Sequence, residues 1–143
     1  MEKGILTRLI IAKILKKIKE TNISFDRCLE FFSKRYNLSK EDKRMIHSIV
    51  FATIRNIYLT DKIVEKFVSK INRNNLNYYF LVSAITQMYN LNYKPYAVIN
   101  STCEACKKIN TNYEISFING VLRNIERKKN EISNIDLTKI NYP

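Results

Sequence analysis

Few groups in this chain could do covalent or metal chemistry: three cysteines and one histidine among 143 residues. Cys103 and Cys106 stand at the C-x-x-C spacing of half a zinc site or a redox pair. A structural zinc takes four ligands, and the only histidine, His47, lies in a distant segment. The two cysteines also continue a helical stripe from Ile99, at i, i+4 and i+7, which is the pattern of a buried face. They are read as core, with no metal and no cofactor. His47 has no serine, cysteine or carboxylate spaced to build a triad or a general base, so it is read as a surface residue. The acidic residues are scattered and mostly neighbour Lys or Arg, as on solvated helix faces. Two glycines cannot supply a glycine-rich phosphate loop. No catalytic set remains, and the chain is read as a non-enzyme.

Residues suited to binding are better represented. Lys and Arg number 25 against 13 Asp and Glu, a formal net charge of +12. Such an excess suits a polyanionic partner, nucleic acid or an anionic membrane surface. Compositional drift towards Lys, Asn and Ile is the rival explanation. The excess is uneven, since residues 1–60 carry 13 basic and 6 acidic groups. Arg8, Lys13, Lys16 and Lys17 give the first helix a cationic face beside its positive N-terminal dipole end. Asn119, Arg123 and Arg127 follow at i, i+4, i+8, a polar stripe that can meet phosphates and base edges. Nine Tyr and seven Phe include rings able to stack on unpaired bases; most of them must be core.

These residues need a scaffold, and the composition points to an all-α one. Only two Gly and two Pro leave little for the tight turns of sandwiches, barrels or doubly wound sheets, although Asn can serve some turns. Hydrophobic residues at 45% are enough for a core. No apolar run approaches the roughly 18–20 residues of a membrane span. The opening Met1-Glu2-Lys3-Gly4 leads into an apolar stretch that Arg8 and Lys13 interrupt, so no signal peptide is read. An odd number of cysteines without an export signal implies reduced thiols in the cytoplasm.

Apolar periodicity predicts helices over 5–20, with Ile11, Ile14, Leu15 and Ile18 inside, and 25–36 behind Ser24 as N-cap. Ser39-Lys40-Glu41-Asp42 has the form of a capping box with Asp at the third position. Behind it runs an inner stripe of Ile46, Ile49, Val50, Thr53, Ile54 and Ile57. A fourth helix starts at Thr60 or Asp61 and carries Ile63, Val64, Phe67, Val68 and Ile71. Further helices follow over 77–90, over 96–109 after the Pro95 break with Ile109 inside, and over 116–129 with Phe117 inside. Asn110 to Tyr113 is read as a loop. The whole is a compact bundle of about seven helices spanning 1–129, and 130–143 reads as a tail or the start of a linker.

Four phrases of this order resemble the NusB-like all-α family. Arg8 to Leu15 is similar to that family's opening helix, and Asp42-Lys43 through Ile49-Val50-Phe51-Ala52-Thr53-Ile54-Arg55 to its third. Pro95-Tyr96-Ala97-Val98-Ile99-Asn100 and Phe117-Ile118-Asn119-Gly120-Val121-Leu122-Arg123 are the closest matches. Ala52, Ser101 and Thr86-Gln87-Met88 depart from the usual residues. The family domain occurs as an antitermination factor and as the N-terminal RNA-binding domain of Sun-type rRNA (cytosine-5) methyltransferases. The resemblance implies RNA binding through the basic first helix, with Lys3 and Arg8 foremost and Lys13, Lys16 and Lys17 beside them. It also implies a small ribosomal-subunit protein, NusE-like, as a partner. Gly120 is expected to let helices approach closely, and Gly4 to sit in a flexible start.

The leading expectation is therefore a non-catalytic RNA-binding module acting in transcription antitermination or rRNA maturation. One alternative is the detached N-terminal domain of an rRNA methyltransferase. The phrase from Asn119 to Arg127 and the tail up to Tyr142-Pro143 look like the methyltransferase version, whose catalytic cysteines would lie beyond Pro143. The other is a helical protein-interaction module whose cations are spread evenly over its surface.

Overall fold

A computed structural model describes residues 3–129, which form seven α-helices and no strand. They are α1 (Lys3–Thr21), α2 (Phe25–Tyr36), α3 (Lys40–Arg55), α4 (Ile57–Phe67), α5 (Leu76–Tyr89), α6 (Pro95–Cys106) and α7 (Asn112–Arg127). The expected tail, 130–143, and the side chain of Lys3 lie outside the described residues. No helix of the described residues is long and apolar enough to cross a membrane.

Local chemistry sets most of the helix ends. Ser24 caps α2 by accepting from the Arg27 backbone N–H at 3.3 Å. The expected capping box of α3 is present: the Asp42 N–H donates to Ser39 Oγ at 3.1 Å and the Ser39 N–H to Asp42 Oδ2 at 3.2 Å. Asn22, Asn37 and Asn92 adopt φ of 55°, 51° and 57°, and no glycine of the described residues has positive φ. Asn tolerates this left-handed conformation better than most residues. It takes the turning role that glycine fills elsewhere, which is how so Gly-poor a chain still reverses direction.

Boundaries of three helices, α4, α6 and α7, differ from the sequence expectation. α4 begins at Ile57, directly after α3, because Asn56 closes one helix and opens the next: its Nδ2 donates to Ala52 O at 2.8 Å. Val68 is already extended, so Ile71 lies beyond α4. α6 stops at Cys106, leaving Ile109 exposed in the connection. α7 begins at Asn112, inside the expected loop, because Thr111 and Glu114 form a second capping box in which the Thr111 N–H donates to Glu114 Oε2 at 3.0 Å.

α5 is the axis of the bundle. Every residue from Tyr78 to Met88 is buried, so this helix is apolar all round rather than along one stripe. Its buried polar side chains bond back to their own helix: Ser83 Oγ to Phe80 O, Thr86 Oγ1 to Val82 O and Gln87 Nε2 to Ser83 O at 3.0 Å. α1 packs against α5, α6 and α3, and α7 packs chiefly against α6, α5 and α4. The N-terminal half of α1 is enclosed by these neighbours, and every residue from Thr7 to Ala12 is buried.

The inner stripe of α3 holds for Ile46, Ile49, Val50 and Thr53 and fails for its last two members. Ile54 is 42% exposed, and Ile57, which already belongs to α4, is exposed too. They line an open groove with Leu15, Ile18 and Tyr58. Phe117 is likewise exposed rather than inside.

Candidate nucleic-acid interface

Lys13, Lys16 and Lys17 lie in the second half of α1, on the side away from the buried Ile14 and Leu15. Lys17 is exposed; Lys13 and Lys16 are half-buried. They stand far from the N-terminus of α1, so the helix dipole, felt within the first turn, adds nothing to them. α2 folds back alongside α1 and contributes Arg27, Cys28, Phe31 and Phe32. Between the two helices runs a groove of about 510 Å³, whose wall also holds Glu20 and Ile23.

The electrostatics of the groove are one-sided. Glu20 forms an i,i+4 ion pair with Lys16. Among the described residues, no carboxylate forms an ion pair with Lys13, Lys17 or Arg27. Three cations thus face one groove without an ion pair, with Glu20 on its wall and Glu30 within electrostatic reach of Arg27. Beside them Phe31 is 58% exposed, although its apolar ring would ordinarily be buried. It meets Phe32 edge-on, with ring centroids 5.1 Å apart, and Phe32 lies parallel to Tyr36 at 6.3 Å. Cys28 forms buried wall; burial pushes its thiol up from the ordinary range, against the pull of Lys17.

Arg8 does not join this cationic face. It is only 8% exposed, with Nε donating to Gln87 Oε1 at 3.0 Å and Nη1 near Gly4 O at 3.5 Å and Met45 Sδ at 3.6 Å. Burial lowers its pKa from the usual value, and the neighbouring Tyr93 opposes that shift. Arg8 is a buried tie between α1, α3 and α5. Gly4 is helical rather than part of a flexible start, and its Cα faces Arg8 and Ser101.

The α7 stripe is present with the expected spacing. Arg123 and Arg127 are exposed, Asn119 is half-buried, and Arg123 Nε donates to Asn119 Oδ1 at 3.1 Å. None of the three lines the α1–α2 groove. Gly120 is not a packing position: it is exposed, and a Cβ there would meet nothing within 4 Å. Cys103 and Cys106 are buried as expected, and burial pushes the Cys106 thiol up to about 11. His47 is exposed, with its ring 4.4 Å from that of Phe51 and 5.4 Å from that of Phe25. Among the described residues, no group of three or more His, Cys, Asp or Glu gathers where it could hold a metal ion.

Arg27 and Phe31 are the groove residues that the sequence reading missed. Their signal was available: they sit at i, i+4 on α2, and Phe31 falls outside the stripe of Cys28, Leu29, Phe32 and Tyr36. A phenylalanine on the polar side of a helix has no core role to explain it.

A sequence profile of the NusB family matches residues 6–127. The chain is 37% identical over 106 residues to the transcription antitermination protein NusB of Buchnera aphidicola subsp. Cinara cedri, and the alignment covers 70% of each chain. It is 24% identical over 129 residues to the ribosomal RNA small subunit methyltransferase B of Shewanella oneidensis, covering 89% of this chain and 30% of that protein. The chain therefore spans about 30% of the length of the methyltransferases it matches. A solved structure of the antitermination factors NusB and NusE in complex with dsRNA superposes with a TM-score of 0.76 at 23% identity, covering 87% of this chain and 95% of that one. That likeness is one of fold.

Proposed function

This chain belongs to the NusB family, and on that premise we propose that it is a non-catalytic RNA-binding module that acts in the cytoplasm in transcription antitermination or rRNA maturation. The observation that carries the reading is the α1–α2 groove, where Lys13, Lys17 and Arg27 stand without an ion pair among the described residues, beside an exposed aromatic ring. Cations so placed neutralise phosphates and release the counterions condensed on the nucleic acid. The α7 stripe of Asn119, Arg123 and Arg127 offers a second polar surface for the strand, and Lys3 and Lys16 supplement the charge on α1. Arg8 contributes by holding α1 on α5. A small ribosomal-subunit protein of the NusE kind is the protein partner this reading supports, in line with the NusB–NusE complex that shares the fold.

Filter binding of a short rRNA-leader fragment tests the reading. Three phosphate contacts on a single strand give a slope of log K against log salt of about −2, or about a 20-fold loss between about 50 and about 200 mM salt. Lys13→Ala with Lys17→Ala brings the slope to about −0.7. Binding indifferent to salt, or unchanged in the double variant, overturns the proposal.

One observation favours a second reading: the alignment with methyltransferase B takes in nearly all of this chain and only a minor part of the enzyme. There the module would deliver small-subunit rRNA to a catalytic part. Tighter binding to a small-subunit rRNA fragment than to the leader supports this second role, and the reverse preference supports antitermination.

A further inference from the structure

We propose that the α1–α2 groove takes an unpaired RNA base, stacked on Phe31 with its flanking phosphates on Lys13, Lys17 and Arg27, and so distinguishes single-stranded RNA from duplex. The proposal rests on the RNA-binding reading above and names the form of RNA that the groove accepts.

The geometry places cations on both sides of the groove and the exposed ring on one. Lys13 and Lys17 stand one turn apart on α1, and Arg27 and Phe31 stand one turn apart on α2, so two short rows flank one channel. Its volume of about 510 Å³ falls within the range of about 300–1,000 Å³ found for small-molecule sites. Most of its lining surface is apolar, with Ile23, Cys28 and Phe32 beside Phe31. An apolar wall suits the face of a base, and cations at its edge suit the backbone on either side of that base.

Phe31 has company that limits its freedom. The edge-on contact with Phe32, itself parallel to Tyr36, leaves Phe31 as the exposed end of an aromatic row. A ring held this way loses little rotational freedom when a base settles on it.

The selectivity follows from stacking geometry. Within a duplex both faces of every internal base are covered by its neighbours, so Phe31 finds a free face only at the two ends, while the phosphates still reach the cations. Single-stranded RNA offers both. Phe31 therefore acts on one form of RNA and the cations act on both, which lets experiment separate them.

The test uses the whole chain with a mixed-sequence RNA oligonucleotide, the blunt duplex of the same sequence and poly-glutamate. Phe31→Ala is expected to weaken single-strand binding on the order of tenfold to a hundredfold, with duplex affinity and salt slope unchanged. Phe31→Trp is expected to restore single-strand binding. The chain contains no tryptophan, so that indole is a sole reporter, and its fluorescence should be quenched by the single strand and not by the duplex. Far-UV circular dichroism checks that each variant is folded, as an exposed position allows.

Unchanged single-strand affinity in Phe31→Ala, while Lys13→Ala with Lys17→Ala still weakens binding, overturns the stacking and leaves the RNA-binding reading intact. Equal losses on single strand and duplex also overturn it. If poly-glutamate displaces the single strand at equal charge concentration, the groove is a general anion or acidic-peptide site and the proposal fails. Absence of binding to either RNA at low salt overturns both this inference and the reading beneath it.

Discussion

Arg8→Ala is expected to lower the melting temperature of the protein and to leave the salt dependence of its RNA binding unchanged. The guanidinium is buried and supplies the donor for Gln87 Oε1 at 3.0 Å. Gln87 is itself fully buried, with its Nε2 already committed to Ser83 O. Removing Arg8 leaves the Gln87 oxygen without a donor, at about 1–3 kcal/mol. Truncation to alanine also deletes the buried alkyl stem, at about 1 kcal/mol or more with its cavity. Against these losses stands the relief of a buried charge that has no carboxylate partner among the described residues, the same desolvation that lowers the Arg8 pKa. The losses sum to about 2–4 kcal/mol and the relief of the charge offsets part of them, leaving a destabilisation of about 1–3 kcal/mol, or a fall in Tm of about 3–12 °C for a chain of this size.

Arg8→Met keeps the volume and orphans Gln87, so its cost lies between zero and about 2 kcal/mol. Gln87→Leu in addition removes the orphaned acceptor, and the pair Arg8→Met with Gln87→Leu should return most of the lost stability, because replacing both partners with apolar groups is nearly neutral. Thermal and urea unfolding followed by far-UV circular dichroism measure all four corners of the cycle. Arg8→Ala within about 0.5 kcal/mol of the parent would be the behaviour of a surface residue. That result, or a double variant as unstable as the sum of its singles, refutes the buried tie.

Gly120→Ala should stabilise the protein by about 0.5–1 kcal/mol in urea unfolding, since Gly120 sits within α7 with open space at its Cβ and without positive φ; a loss of stability would reveal a close neighbour there. The buried thiols supply a pH dependence. Burial raises the Cys106 pKa from 9.0 to about 11, so the folded state favours the protonated thiol. Its contribution is fully present below about pH 9 and is lost as pH rises through about 11. Tm should therefore fall over that window, and a flat profile would contradict it. At pH 8 all three cysteines should react with a thiol reagent no faster than the protein unfolds, and rapid reaction of Cys106 would contradict its burial.

Much of the fold was legible because helix signals are local. The stripe Ile46, Ile49, Val50, Thr53 lies within four turns of chain, and Ser24 and the Ser39–Asp42 box act on backbone groups within three residues. The α7 start was missed although Thr111 and Glu114 carry the same signature at the same spacing. There the polar run from Asn110 to Tyr113 reads as a loop until the box is recognised. Ile57 was misplaced for another reason: its periodicity continues across Asn56, but α3 ends at Arg55 and Ile57 opens α4.

The candidate site was legible in half. Lys13, Lys16 and Lys17 sit opposite an apolar stripe, so periodicity alone turns them towards water. Arg8 follows the same chemistry in sequence and ends in the core. Its burial depends on Gln87, 79 residues away, and on Met45, 37 residues away, closing over it as α1 passes between α3, α5 and α6. No pattern within α1 encodes that enclosure.

By itself, then, the sequence determined an all-helical, Gly-poor, basic chain, where α2 and α3 cap, and which stripes are apolar. Those properties arise from interactions over three or four residues. Tertiary structure alone decided that Arg8 is a tie rather than a phosphate contact, that Gly120 faces open space, and that Arg27 and Phe31 complete a groove with Lys13 and Lys17. These depend on which helices become neighbours. Helical periodicity says which face of a helix is apolar, whereas the burial of a polar side chain is set by what packs around it.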